Sequence, residues 1–232
     1  MKTIEEDDID VICIQEAYVI NNKVVGIPKK YKILAHGEGR HRAAIVMTNK
    51  MIVSILIRQL SDEDAVVTKI VYNKVKIIIV SMYFDINRQI EDDLNKIGAI
   101  MQHAKGTGTI IAMDSNARST TWHDHITNHR GRIIEEFLVS VQLHILKEDS
   151  NLTTYLSSRG SSNIDLTVTS NSILREVEDW EVSNQESRSD HNFIKFAIRQ
   201  VSYRRSKHEN HEVRYIIRRE DIGYSKKTLP HC

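Results

Sequence analysis

Several residue types that define other protein classes are scarce in this chain of 232 residues. It has two cysteines, Cys13 inside an apolar run and Cys232 at the end, which exclude a disulfide framework and a zinc-binding spacing and suit a reducing compartment. Two prolines and nine glycines give no composition typical of a long flexible linker. No apolar run approaches the roughly 20 residues that span a membrane. The acidic first residues are unlike a signal or transit peptide.

The composition is that of a globular protein, but the charge is unevenly distributed. The chain is 41% hydrophobic and 27% charged. The chain has 32 Lys/Arg and 31 Asp/Glu. Residues 199–232 contain nine of the Lys/Arg and four of the Asp/Glu, which gives this segment a net charge of +5 and the rest of the chain a net charge of −4. A mildly acidic body with a basic tail is compatible with nucleic-acid contact. An ordinary solvated tail would have the same charge, so both interpretations stay open.

Hydrophobic periodicity predicts short strands interrupted by two main helices. Apolar runs predict buried strands at Asp10–Gln15 and Thr109–Met113, and a hairpin whose second strand runs to Met82. Apolar residues at helical spacing predict helices over Ile90–Ala104 and Gly131–Val141. This order of elements predicts an α/β or α+β fold, a sandwich of two sheets flanked by helices.

The strand that ends at Met113 is followed by Asp114, Ser115 and Asn116. Ligands of such sheets bind just past the ends of strands. Asp114 and Asn116 are two residues apart, so in an extended segment their side chains would point the same way. An ionised Asp can bind a metal or orient a water, and an Asn can donate to a phosphate oxygen. Asp and Asn also favour turns, so this motif alone leaves an ordinary turn open.

Other predicted strands also end on acidic, amide, hydroxyl or imidazole side chains. Together the candidates are Glu16, Tyr83, Asp114, Asn116, Asp165, Asp190 and His191. Three or four converging carboxylates need a compensating cation, and Mg²⁺ or Mn²⁺ suits oxygen ligands. A histidine beside a carboxylate can act as a general base or as a transition-state donor. Such a set suits phosphodiester hydrolysis, with His191 or Asp114 activating water.

Five short motifs occur in the order of a known superfamily. They are QE in VICIQEAY, the Tyr of SMYF, DSN in IIAMDSN, IDLTVTS, and SDH in SRSDHNFIKF. Through them, residues 9–198 resemble the endonuclease/exonuclease/phosphatase superfamily, which has the DNase I-like four-layer fold. Within it, the chain is most similar to the apurinic-type endonuclease domains of insect non-LTR retrotransposons. The resemblance implies a Mg²⁺- or Mn²⁺-dependent nuclear enzyme that nicks double-stranded DNA to prime reverse transcription by a fused reverse transcriptase.

The resemblance also implies a role for each motif residue. Glu16 would be a metal ligand, and Tyr83 would contact the scissile phosphate. Asp114 would orient or deprotonate the attacking water, with Asn116 holding phosphate beside it. In the later motifs, Asp165 would pair with His191. Asp190 would lie near the metal.

The polar segment after DSN supplies candidate DNA contacts. They are Arg118, Trp122 and Arg130. The two arginines could contact phosphates. Trp122 could stack on a base or a sugar, although a tryptophan that packs within its own loop is an equal alternative.

One expected element of the superfamily is missing from the chain. A first strand with an Asn near the metal normally precedes the QE strand, but only 15 residues precede Glu16 here. Its loss would expose backbone hydrogen-bonding groups of the neighbouring strands. We therefore predict an N-terminally incomplete endonuclease domain at residues 1–199 and a basic tail or linker at residues 200–232. The alternatives are an inactive remnant that only binds nucleic acid, or a superfamily phosphatase or abasic-site repair enzyme.

Overall fold

A computed structural model describes residues 7–73, 75–148, 150, 152–187, 189–199 and 213–219 of the chain. The strands, in chain order, are β1 (Val11–Gln15), β2 (Val19–Ile20), β3 (Lys23–Val24), β4 (Lys32–Leu34), β5 (Ala43–Met47), β6 (Val53–Leu56), β7 (Ala65–Tyr72), β8 (Val75–Tyr83), β9 (Gly108–Asp114), β10 (Leu143–Leu146), β11 (Tyr155–Ser157), β12 (Gly160–Ser162), β13 (Asp165–Ser170), β14 (Val177–Val182), β15 (Ile194–Ile198) and β16 (Val213–Arg219). The α-helices are α1 (Ile90–Ala104) and α2 (His129–Ser140).

Twelve of these strands form two six-stranded sheets. Sheet 1 has the order β14-β15-β16-β1-β5-β4, and sheet 2 has the order β10-β13-β9-β8-β7-β6. The remaining strands form the small hairpins β2-β3 and β11-β12. Parallel pairing occurs between β1 and β16 and between β8 and β9. The predicted α+β sandwich of two sheets with helices is therefore confirmed.

Three apolar layers hold the sheets and helices together. Between the sheets lie Cys13 and Ile45 of sheet 1 and Ile79 and Ile110 of sheet 2. The outer face of sheet 2 packs against α1 and α2. The outer face of sheet 1 is covered by apolar side chains of the segment between β1 and β5. Both faces of the central strands are thus buried, which explains why their sequences are apolar runs and do not alternate with polar residues.

The two helices lie close to their predicted ranges, and local chemistry explains their ends. Acidic residues occupy the first turn of α1, where they interact favourably with the helix dipole. The Asn128 side chain caps α2 by accepting a hydrogen bond from the Gly131 N–H. A Cβ at Gly131 would lie 2.1 Å from the Arg118 carbonyl oxygen, so glycine is needed for this contact. Neither described helix is long and apolar enough to cross a membrane.

Strand β16 fills the position beside β1 that was expected to be open. Each residue of β1 faces one of β16 in parallel register, from Val11 opposite Tyr215 to Gln15 opposite Arg219. The other edge of β16 pairs antiparallel with β15. The expected exposure of strand groups beside β1 is therefore wrong, because a later segment of the chain supplies the partner. The proposed domain boundary at residue 199 stays a prediction; residues 200–212 and 220–232 lie outside the described residues.

We predict that Ile216→Pro destabilises the protein far more than Ile216→Val, which keeps the backbone N–H. Ile216 lies opposite Ile12 on one side and Lys195 on the other, and proline removes an N–H in a doubly paired strand. The free energy of unfolding should fall by on the order of 2 kcal/mol, as for an unsatisfied buried backbone group. Urea denaturation measures this. Equal midpoints for the two variants would mean that Val213–Arg219 does not contribute to the stability of sheet 1.

Candidate active site

Three candidate residues lie in one row across sheet 2. Strand β9 pairs with β8 on one side and β13 on the other, and Asp114 lies opposite both Tyr83 and Asp165. Residues in register on neighbouring strands point to the same face of a sheet. Asp114 and Asp165 are 1% and 7% exposed, so two carboxylates are buried side by side.

His191 completes this row by pairing with Asp165. Its Nδ1 lies 2.9 Å and 2.8 Å from the two carboxylate oxygens of Asp165. The imidazole also packs edge-on against the Tyr155 ring at 4.9 Å between centroids. The predicted pairing of Asp165 with His191 is therefore present. Because a carboxylate accepts, Nδ1 carries the hydrogen in this pair.

The three buried groups change one another's proton affinity. Burial and then the negative charge of Asp165 raise the pKa of Asp114 to about 7. Burial alone would lower the pKa of His191, but the charge of Asp165 and its hydrogen bond, together with the charges of Asp114 and Asp190, raise it to about 9. At neutral pH the imidazole is therefore a cation that partly offsets two carboxyl groups.

Asn116 contacts Asp114 through a turn, and not from the same extended strand as expected. The strand ends at Asp114, and Asn116 has a φ of 47°, in the left-handed region. Its backbone N–H donates to Asp114 Oδ1 at 3.2 Å, and its side-chain amide donates to the Phe84 carbonyl at 2.9 Å. The expectation that an extended chain aligns the two side chains is thus wrong, since a turn begins directly after Asp114. Burial, followed by the charge of Asp114, raises the pKa of Tyr83, and a hydrogen bond with Asn116 opposes that shift.

A buried polar cluster brings the end of β1 to the same place. The side-chain amide of Gln15 donates to Ser81 Oγ at 2.9 Å and to the Ala112 carbonyl at 3.2 Å. Ser81 Oγ in turn donates to the Ile14 carbonyl at 2.9 Å. Ser81 and Ala112 precede Tyr83 and Asp114 by two residues, so Glu16, the residue after Gln15, lies at the end of sheet 1 nearest this row.

The two proposed metal ligands lie outside the tightest group of acidic and imidazole side chains. Among the described residues, Asp114, Asp165 and His191 offer ligand atoms that all lie within 4.8 Å of one another. Glu16 and Asp190 are not part of that trio. Asp190 is exposed, and its backbone carbonyl accepts a hydrogen bond from Leu156 N–H at 2.7 Å. Their role as metal ligands stays a prediction.

The three candidate DNA contacts have different environments. Trp122 is fully buried, and its indole N–H donates to the Asn163 carbonyl at 2.8 Å. The interpretation of Trp122 as a stacking surface for DNA is therefore wrong, because its ring belongs to the core between sheet 2 and the helices. The guanidinium of Arg118 pairs with Asp124 at 2.8 Å.

Arg130 is the candidate DNA contact with unsatisfied hydrogen-bond donors on its guanidinium. Its Nη1 donates to the Arg88 carbonyl at 3.2 Å. Its Nε and Nη2 are buried and have no hydrogen-bond partner among the described residues. Its charge also lowers the pKa of Asp114, which indicates that it lies near the row. Two unsatisfied donors beside buried carboxylates are what a bound phosphate would need.

Sequence reasoning missed the charged residues that surround Tyr83. The guanidinium of Arg42 lies 4.9 Å from the centre of the Tyr83 ring and pairs with both Asp64 and Asp85. Arg88, which is 58% exposed, pairs with Asp64 as well. The sequence feature that marks Arg42 is an arginine directly before the apolar run of β5, and such a feature is too common to identify a site.

We predict that the His191–Asp165 pair makes the metal-free protein less stable as pH rises. The pKa of His191 is raised from 6.5 to about 9, so its contribution is fully present below 6.5 and is lost as pH rises through about 9. Urea denaturation in EDTA at pH 6 and pH 9.5 measures this, with His191→Gln as the control. The stability advantage of the wild type over the variant should shrink between these pH values. An advantage that does not change with pH would contradict the assigned pair.

Comparisons with known proteins agree with this geometry. Residues 77–195 match the family described as endonuclease-reverse transcriptase. Over 190 residues the chain is 22% identical to a 115 kDa protein in the type-1 retrotransposable element R1DM of Drosophila melanogaster, covering 78% of this chain and 18% of that protein. It is 23% identical to a Pol polyprotein from the element R1 of Bradysia coprophila, covering 77% and 19%. The chain thus spans about a fifth of the length of these relatives.

Solved structures are similar over most of the chain. The endonuclease domain of TRAS1, a telomere-specific non-LTR retrotransposon, superimposes with a TM-score of 0.78 at 26% identity, covering 87% of this chain and 91% of that one. An AP endonuclease from Leishmania major shares the fold, with a TM-score of 0.58 at 14% identity and 82% and 78% coverage. The chain therefore belongs to the endonuclease-reverse transcriptase family, within the endonuclease/exonuclease/phosphatase superfamily.

Proposed function

We propose that this domain is a metal-dependent DNA endonuclease that hydrolyses a phosphodiester bond. The observation that supports this most directly is the row of Tyr83, Asp114 and Asp165 with His191 hydrogen-bonded to Asp165. The row combines a phenol, a buried carboxyl with a pKa near neutrality, and a cationic imidazole. Phosphodiester hydrolysis needs a base for water and donors for a phosphate that gains negative charge.

The geometry suggests a distinct role for each of these side chains. Nδ1 of His191 donates to Asp165, and in our proposal Nε2 donates to a phosphate oxygen. Asp114, whose pKa is about 7, can take a proton from the attacking water. Tyr83 and Asn116 lie beside Asp114 and can orient the phosphate. Asp165 keeps the imidazole protonated and oriented, as carboxylates do for histidines in other enzymes.

The donor set fits a hard divalent cation. Burial, followed by the negative charge of Asp165, raises the pKa of Asp114, and a nearby cation would favour the ionised carboxylate. Carboxylate oxygens are the ligands that Mg²⁺ and Mn²⁺ prefer. In our proposal Glu16 holds the ion, with Asp190 near it. When bound, the ion neutralises charge on the phosphate. His191 is poorly placed as a ligand through Nδ1, because Asp165 already accepts from that atom.

Double-stranded DNA is the proposed substrate. Arg130 has two unsatisfied buried donors near the carboxylate row, and Arg118 lies on the same segment, although Asp124 already pairs with it. The R1 relatives are proteins of retrotransposable elements, and the TRAS1 domain is an endonuclease of such an element. We infer that the nick supplies a 3′-OH for reverse transcription, that a reverse transcriptase belongs to the same polyprotein, and that the reaction occurs in the nucleus.

The first test is nicking of supercoiled plasmid by the purified chain. We expect nicking with Mg²⁺ or Mn²⁺ and none in EDTA. His191→Ala should lower the rate by about 100-fold or more, as expected when a positioned proton donor is lost. His103→Ala is the matched control, because His103 is an exposed histidine in the last turn of α1. A folded chain that binds plasmid without nicking it would favour a remnant that only binds nucleic acid.

A second test separates chemistry from binding at Asp165. Asp165→Asn removes the negative charge that orients His191 and raises its pKa, while it keeps the size of the side chain. The nicking rate should fall by about 100-fold or more. The dissociation constant for a fluorescent DNA duplex should stay within about threefold, because Asp165 is buried and the candidate duplex contacts of Arg118 and Arg130 do not involve it. Parallel losses of both would instead assign Asp165 a structural role.

A further inference from the structure

Arg42 contacts both halves of the candidate active site. The site is divided between the sheets, since Glu16 follows β1 in sheet 1 and Tyr83 and Asp114 end β8 and β9 in sheet 2. Arg42 directly precedes β5, which is paired with β1. A residue that fixes the two sheet ends relative to each other would control how a phosphate is held between them.

The backbone of Arg42 links these ends by hydrogen bonds. Its carbonyl accepts from the Glu16 N–H at 2.6 Å, and its own N–H donates to the Glu63 carbonyl at 2.7 Å. The next carbonyl, that of Asp64, accepts from the Tyr83 N–H at 2.8 Å. Glu16 has a φ of 50°, a backbone conformation that residues other than glycine rarely adopt. The Arg42 carbonyl therefore helps to hold a strained residue at the site.

The side chain of Arg42 makes three further contacts. Nε and Nη2 each lie 2.5 Å from an oxygen of Asp64, which is the bidentate geometry of a strong charge-assisted pair. Nη1 donates to Asp85 Oδ2 at 2.6 Å. The guanidinium lies 4.9 Å from the centre of the Tyr83 ring, within the range of a cation–π contact. Because Asp85 is two residues after Tyr83, the same side chain holds the ring and the backbone that follows it.

The environment of this cluster favours a fixed arrangement over a loose surface pair. The side chains of Arg42, Asp64 and Asp85 are 20%, 10% and 16% exposed. The hydrogen bond from Arg42, the largest influence on Asp85, lowers the pKa of that carboxyl to about 2. With Arg88 the cluster has two cations and two anions, so its members neutralise one another and do not add net charge to the site.

We propose that Arg42 is a positioning residue that acts through Tyr83. The guanidinium stacks on one face of the phenol ring and is itself held by Asp64 and Asp85, so the ring has one orientation. In that orientation the Tyr83 hydroxyl makes a hydrogen bond with the Asn116 side chain, the other group that we propose orients the phosphate. This inference rests on the proposed phosphodiesterase activity and adds a residue that the sequence motifs do not contain. Arg42 does not touch the substrate in this arrangement.

A double-mutant cycle tests whether Arg42 acts through the Tyr83 hydroxyl. Arg42→Lys keeps the positive charge but loses the planar fork that binds Asp64 and stacks on the ring. Single-turnover nicking should slow about tenfold in Arg42→Lys, the scale expected when a reacting group is misplaced. In the Tyr83→Phe background the same change should slow nicking by less than about twofold, because the hydroxyl is already gone.

Arg88→Lys is the matched control. Arg88 pairs with the same Asp64 from a side chain that is 58% exposed, so a general loss of stability should appear in both lysine variants. The free energy of unfolding of each variant is measured in urea beside the rates. Equal slowing by Arg42→Lys with and without the Tyr83 hydroxyl would overturn the inference. Equal slowing by Arg88→Lys and Arg42→Lys would overturn it as well.

A second measurement keeps the inference testable if the wild type does not nick DNA, an outcome that would refute the proposed function alone. Tyrosine rings labelled with ¹³C report ring environment by NMR, and Tyr83→Phe assigns the Tyr83 signals. Arg42→Lys should move these signals much further than Arg88→Lys, because a stacked guanidinium lies on the ring face. Signals that Arg42→Lys leaves in place would mean that the guanidinium does not orient Tyr83.

Discussion

The candidate site depends above all on the register of β9, which is paired with a neighbour on each side. Asp114 faces Tyr83 on β8 and Asp165 on β13, and a shift of one residue in either pairing would turn one of these side chains to the opposite face. The parallel β8–β9 pair ends at the same edge of the sheet, and the antiparallel β13 begins there. Such a shift would also disturb the packing of the buried residues on both faces of β9, so core packing and site geometry depend on the same register.

Buried polar groups connect this row to the other sheet. Burying an amide or hydroxyl is costly unless it is hydrogen-bonded, and here the Gln15 amide and the Ser81 hydroxyl both have partners across the interface between the sheets. Apolar contacts alone would fix the relative position of the two sheets less strictly than hydrogen bonds do, because the hydrophobic effect is not directional. The directional bonds of Gln15, together with the Arg42 cluster nearer the surface, fix how the end of β1 sits beside the ends of β8 and β9.

The local features of this molecule could be predicted from the sequence, and the family resemblance implied the pair of Asp165 and His191. Its other long-range pairings could not be predicted. Helix α1 and the strand before Asp114 follow from periodicity, and the order of the polar motifs indicated the family. For Trp122 the sequence left stacking on DNA and packing within its own loop equally open, because nothing local shows that its indole binds the Asn163 carbonyl 41 residues later. Arg42 was missed for the same reason: its partners Asp64 and Asp85 are 22 and 43 residues away.

The basic C-terminal segment illustrates how a long-range pairing changes the meaning of a composition. Charge alone left a solvated tail and a nucleic-acid contact equally open, but Val213–Arg219 is a strand between β1 and β15. Because it runs parallel to β1, its last two residues, Arg218 and Arg219, lie opposite Ile14 and Gln15, at the end of sheet 1 that precedes Glu16. Composition therefore did not predict the place of this segment in the fold, because both of its pairings are with residues distant in the sequence.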